Sequence, residues 1–290
     1  MRSVLASGFA LAALISSAGP LCAQQRQNQS SMTWSGGQIG GFGGTSTLGG
    51  SFVEPGAHFC GSGFAAVCPE VPFSFSGWKT SATGGAFIGY SIPWGLAVLG
   101  IEADVALKNA GISSVQANTH ASPGGPTSEM FTGTLSQRWD GSVRARVGFP
   151  VNSMNMIYAT GGVAFGRISG SFVYNASVGP FPLSPSCVTA FNPILDQIVT
   201  TCGSGGGGAQ SWSDTRHGYT VGAGWETVYV RNVKVRVEYR YTEFGGFSKD
   251  VPLALTAGPC IIPGCVGTGN AHIDMRVNSH TLRLGIAFGI

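Results

Sequence analysis

Ser213, Asp214 and His217 stand within five positions of one another and carry the groups of a nucleophile, an orienting carboxylate and a base. A hydrolase built on them needs a GxSxG or comparable turn to present the serine, and no such motif surrounds Ser213. Solvated residues near the ends of elements account for all three, so no enzyme is expected. A second group is the cysteines. Beyond Cys22 there are six: Cys60, Cys68, Cys187, Cys202, Cys260 and Cys265. A zinc site would need paired CxxC units or histidines at ligand spacing, and neither is present, so no metal is expected. An even number of cysteines in an exported chain points to disulfides, and the economical pairing joins near neighbours: 60–68, 187–202 and 260–265.

The third group is a repeated alternation of charge and apolar bulk. In VKVRVEYRY (233–241), Val233, Val235, Val237, Tyr239 and Tyr241 lie on one face, and Lys234, Arg236, Glu238 and Arg240 on the other. Strict alternation means an extended strand, because successive side chains point to opposite sides. LAVLGIEADVAL (96–107) sets Glu102 and Asp104 against Leu99, Ile101, Ala103 and Val105. RWDGSVRARVG (138–148) sets Asp140, Arg144 and Arg146 against Trp139, Val143, Ala145 and Val147. Residues 218–226 carry Glu226, and HTLRLGIAFGI (280–290) carries Arg283, each on the polar face of an alternating run. Residues 156–166 place Ile157, Val163 and Phe165 opposite Thr160 and small residues, and weaker strands are read at 33–43 and 83–92. FSFSGW (73–78) leaves ten strands open as an alternative to eight.

The connections alternate in length. Short ones fall near 93–95, 150–155 and 229–232; long ones cover 44–82, 108–136, 168–213 and 247–273. In an antiparallel meander, alternate connections share an end, so all the long ones lie together. Across the strands the polar face holds Glu102, Asp104, Asp140, Glu226 and Glu238 against Arg144, Arg146, Lys234, Arg236, Arg240 and Arg283. Glycines on the same face leave room for long side chains. The apolar face is aliphatic, with aromatics toward the strand ends. That is the polarity of a transmembrane barrel, apolar outside and polar inside, with aromatic girdles. Lipid offers the backbone no hydrogen bonds, so a spanning sheet must close. The expected fold is all-β, an eight-stranded antiparallel up-and-down barrel with short periplasmic turns and four long extracellular loops.

Composition agrees. Charged residues are 10% of the chain and glycines number 46, against about 25% charged in ordinary soluble domains. A net charge of +3 gives no footprint for nucleic acid. The first residues have the charged start, apolar centre and small-residue site of a secretory signal, read as 1–23, with the barrel in 24–290. Leu21 before Cys22 is too large for a lipidation signal.

GGAFIGYSI (84–92), WDGSVRARVGF (139–149), IYATGGVAFGRI (157–168) and HTLRLGIAF (280–288), in this order and spacing, resemble the small porin-like outer-membrane proteins of alphaproteobacteria, the outer membrane immunogenic protein family. The resemblance implies a surface-exposed structural or porin-like protein, embedded in outer-membrane lipid and lipopolysaccharide and inserted by the barrel-assembly machinery. Members usually end on an aromatic residue, whereas here Phe288 precedes Gly289 and Ile290. Some relatives bind haem, which makes His58, His120 and His272 the residues to consider as loop ligands for iron. No cofactor is otherwise expected. An eight-stranded barrel is just wide enough for side chains to fill, so the charged rows should close it by pairing.

Overall fold

The computed structural model describes residues 34–54, 73–122, 125–178, 188–192, 197–201, 204–230, 232–256 and 268–290. Eight long strands form the wall: β1 (Gly36–Glu54), β2 (Phe73–Trp94), β3 (Ala97–Ser122), β4 (Gly125–Pro150), β5 (Asn155–Val178), β8 (Ser204–Val230), β9 (Val233–Thr256) and β10 (Thr268–Gly289). Between β5 and β8 lies a separate two-stranded hairpin of β6 (Val188–Asn192) and β7 (Gln197–Thr201). The wall runs β1-β10-β9-β8-β5-β4-β3-β2 and closes where β1 pairs with both β2 and β10, every pairing antiparallel. FSFSGW is the upper end of β2, so the barrel has eight strands.

The pairings fix the size of the cylinder. Followed from partner to partner, Ile39 leads to Ile88, Ala103, Val143, Val163, Tyr219, Glu243, Asn278 and back to β1 at Gly49. The return falls ten residues beyond the start. Eight strands with that stagger, at a spacing of ~4.8 Å and a rise of ~3.3 Å per residue, give a tilt of about 41° and a backbone radius of about 8 Å. Side chains from opposite walls therefore meet across the axis.

The lower turns are short. Gly95 takes a positive φ of 61° in the turn between β2 and β3. Between β4 and β5 the Asn152 Oδ1 accepts the backbone N–H groups of Met154 at 2.9 Å and Asn155 at 2.8 Å, which closes that turn locally.

The strands run well past the stretches where alternation is plain. Most of 108–136, expected as a connection, is strand, since β3 and β4 stay paired up to Ser122 and Gly125. The reason is an inversion of polarity. On the lower part of β10, Arg283 and Thr281 are buried inside while Leu282, Leu284, Ile286 and Phe288 are exposed outside. Above Asn278 the order reverses: Ala271, Ile273, Met275 and Val277 are buried, and His272, Asp274 and Arg276 are exposed. The same change occurs inside β1 between Ser46 and Leu48, inside β3 between Lys108 and Ala110, and inside β9 between Thr242 and Phe244.

The upper interior is thus an ordinary apolar core. Phe73 stacks on Phe131 with ring centroids 5.1 Å apart, and Phe131 meets Tyr174 at 4.8 Å. Leu48, Phe52, Leu135, Ile168 and Phe172 complete the packing. Three irregularities sit at the level of inversion, one of them in β3 between Leu107 and Ala110. Arg138 is an extra residue of β4 between Gln137 and Trp139, and β9 gains one at Gly245, whose φ is 73°.

Candidate functional site: the lumenal charge network

Below the apolar core the lumen is filled with ionised groups. All eleven charges expected there point inward: Glu102 and Asp104 from β3, Asp140, Arg144 and Arg146 from β4, Glu226 from β8, Lys234, Arg236, Glu238 and Arg240 from β9, and Arg283 from β10. Ten of them are buried, and Lys234 keeps 11% of its side chain exposed. Burying an unpaired charge is prohibitive, so these groups are arranged to satisfy one another.

Glu238 accepts from Arg144 Nη1 at 2.5 Å and Arg283 Nη2 at 2.6 Å on one oxygen, and from the Tyr158 hydroxyl at 2.9 Å on the other. Asp104 accepts from Arg144 at 2.8 Å, Arg240 at 2.9 Å and Ser142 Oγ at 3.0 Å, with Arg283 3.3 Å away. Glu102 accepts from Arg144 Nη2 and Arg236 Nη1, each at 2.5 Å. Glu226 holds Arg146 at 2.5 Å, and Asp140 holds Arg240 at 3.1 Å.

Two of these contacts cross the full width of the barrel. β3 and β9 lie four strands apart in a ring of eight, so Glu102–Arg236 and Asp104–Arg240 bridge opposite walls. Aromatic rings cover several guanidinium faces. Arg236 lies 3.4 Å from the centroid of Phe87, Arg146 3.8 Å from Tyr158 and Arg283 4.5 Å from Phe42. Inward glycines provide the room. A Cβ on Gly224 would come within 2.5 Å of the Tyr158 ring, and one on Gly285 within 3.2 Å of Arg236.

Sequence reasoning missed two members. Lys108 Nζ sits 2.6 Å from Asp140, making seven cations against five carboxylates. It lies one position beyond the end assigned to its strand, yet it keeps the even-numbered phase of Glu102 and Asp104. Tyr158 shares the phase of Thr160 in the same way.

Other sequence candidates are dispersed. Ser213 and His217 face outward while Asp214, between them, faces inward to Lys249 at 2.8 Å and Arg216 at 3.1 Å. Strand alternation separates the three, so no nucleophile–base–carboxylate arrangement forms. These two cations hold the Asp214 carboxyl below its usual range, the hydrogen bond from Lys249 contributing most. His272 is exposed on the outside of β10, its Nδ1 2.7 Å from Asp250 and its Nε2 3.6 Å from Asp274. The Asp250 hydrogen bond raises the His272 pKa. His58, the six cysteines and the expected signal segment lie outside the described residues, as does the side chain of His120.

A closed antiparallel wall, an apolar outer band and an ion-paired lumen define an integral outer-membrane barrel. The outer membrane protein beta-barrel domain matches residues 9–288, so the chain belongs to that family. Among its relatives is the 31 kDa outer-membrane immunogenic protein of Brucella melitensis biotype 1, 28% identical over 88% of this chain and 83% of that one. Another is the 22 kDa outer membrane protein of Rhizobium leguminosarum bv. viciae, 29% identical over 59% and 55%. Among solved structures, the outer membrane protein OprG of Pseudomonas aeruginosa aligns over 88% of this chain and 98% of its own, with a TM-score of 0.38 and 10% identity. The attachment invasion locus protein of Yersinia pestis aligns over 87% and 99%, with a TM-score of 0.33 and 13% identity. The chain is an outer-membrane protein.

Proposed function

We propose that this protein is a structural, surface-exposed barrel whose lumen is closed and which contributes to the cohesion of the outer membrane. The observation that carries the reading is the pair of ion bridges from β3 to β9, which cross the lumen at its middle. Above them the interior is packed with aliphatic and aromatic side chains, a second seal of different chemistry. A lumen stopped twice suits a protein that acts by being present in the membrane rather than by passing solutes. In this reading the cysteine pairs 60–68, 187–202 and 260–265 tie the extracellular crown, and any ligand is met there.

Cells lacking the protein should lose resistance to detergents and to large hydrophobic antibiotics. Expression of the chain with residues 55–72 shortened to a tight turn should restore it. Unchanged resistance in the deletion strain would overturn the structural role. Restoration by the full chain alone would shift the function to the loops.

A further inference from the structure

The arginines inside the barrel are paired with carboxylates, whereas among the described residues three on the outer wall, Arg138, Arg167 and Arg276, are not, and the first two stand together. Arg138 and Arg167 are exposed on the outer wall, and among the described residues neither has a carboxylate within ion-pairing distance. They are neighbours, because Arg138 is the bulged residue opposite the Arg167–Ile168 step of β5. The bulge has a consequence for direction. Gln137 and Asp140 both point inward, so Arg138 and Trp139 are consecutive residues that both point outward. Regular alternation would have turned one of them into the lumen.

The two arginines also sit at a defined height. Ile157 begins the exposed apolar row of β5, and Arg167 ends it ten residues later. At the rise and tilt of this barrel that is about 25 Å along its axis, the height of the apolar band of outer-membrane barrels. Just below them the Trp139 and Phe165 rings meet edge to face at 6.3 Å, a shelf for acyl chains. Beside them are hydroxyls: Arg167 Nε donates to Ser213 Oγ at 2.9 Å, and Ser213 lies 2.7 Å from Ser169 Oγ. The Arg167 Nη donors take no part in that bond. The outward carboxylate of the adjoining β9, Glu243, accepts from the hydroxyls of Tyr219 and Tyr241.

We infer that Arg138 and Arg167, with Ser169 and Ser213, form a binding site for a phosphate group of the glycolipid in the outer leaflet. Two guanidinium groups match a phosphate in charge and in donor geometry. The aromatic shelf beneath accepts the acyl chains of the same molecule, and a soluble anion would gain nothing from that shelf.

The test is a fluorescence titration of the detergent-folded full chain with bisphosphorylated lipid A, with the same lipid stripped of its phosphates, and with inorganic phosphate. Wild-type protein should bind the phosphorylated lipid and bind the stripped lipid at least about tenfold more weakly, the loss of one charge-assisted hydrogen bond or more. R138Q/R167Q should lose that preference, while R276Q, which changes an exposed arginine on β10, should keep it. Folding of each variant is scored first by its heat-modifiable shift on gels. If the double variant does not fold, R138Q and R167Q are read singly, each expected to bind several-fold more weakly. Wild-type affinity in the folded variants would overturn the site. So would equal binding of the two lipids, and competition by inorganic phosphate at matching concentration would reassign it to a soluble anion.

Discussion

Glu238 shows what a charge needs in order to live inside this barrel. Its two oxygens take three donors, from Arg144, Arg283 and Tyr158, and no part of the side chain meets bulk water. Glu238→Gln keeps the shape and removes the charge, leaving two guanidinium groups short of a counter-ion. It should cost about 3–5 kcal/mol, the usual loss when one partner of a buried ion pair is removed. Urea unfolding from lipid vesicles would measure it, and a loss below ~1 kcal/mol would mean that the network is not the closed set described. Outside the membrane the rules are looser. His272 is exposed beside Asp250, and its pKa is raised above its ordinary 6.5. A group with a raised folded-state pKa stabilises below its unfolded value and loses that contribution as pH rises through the folded one. The β9–β10 contact is therefore firmer in mild acid. An NMR titration of His272 should give a pKa above 6.5, and D250N should bring it down. No change on D250N would remove the ion pair from the account.

The elements obey one rule with two phases. Where the wall meets lipid, strands turn apolar residues outward; where it meets water, the same strands turn them inward. Alternation makes the lower phase legible, and the eight strands, their order along the chain and all eleven lumenal charges follow from it. The upper phase is harder to read. Its period is still two, but the side that is apolar changes at Asn278 on β10 and at Lys108 on β3, so the pattern looks as if it ends there. Bulges at Arg138 and Gly245 shift the count by one residue and break the alternation in β4 and β9. Lys108 escaped notice for that reason: it is the last inward charge before the change. The inward glycines belong to the same logic. Gly224→Val would place its Cβ 2.6 Å from the backbone oxygen of Val237 as well as against Tyr158. Neither neighbour can give way cheaply, so the variant should lose at least ~1–3 kcal/mol or fail to show a heat-modified band on gels. A folded, fully stable Gly224→Val would show that the lumen is looser than its contacts imply.

At the scale of the molecule, the barrel is a cylinder of about 8 Å backbone radius, and inward side chains reach its axis. Ion pairs cross the membrane half, and apolar side chains pack the half above it; in the proposed reading these are two stoppers. Two chemically different stoppers mean that salt, which screens ion pairs, should not by itself open the lumen, because buried pairs are screened little and the upper core not at all. Removing the pairs on both walls is different. A variant with Glu102, Asp104, Arg236 and Arg240 all changed to serine would remove both bridges between opposite walls and open space in the middle of the barrel, leaving the pairs of Glu238, Glu226 and Lys108 and the apolar core above. The most direct test is conductance of the purified wild-type protein in planar lipid bilayers, at low and at high salt, beside that serine variant. The closed-lumen account predicts no steady single-channel steps from the wild type under either condition. Reproducible steps of uniform size from wild-type protein would contradict it and make this barrel a pore.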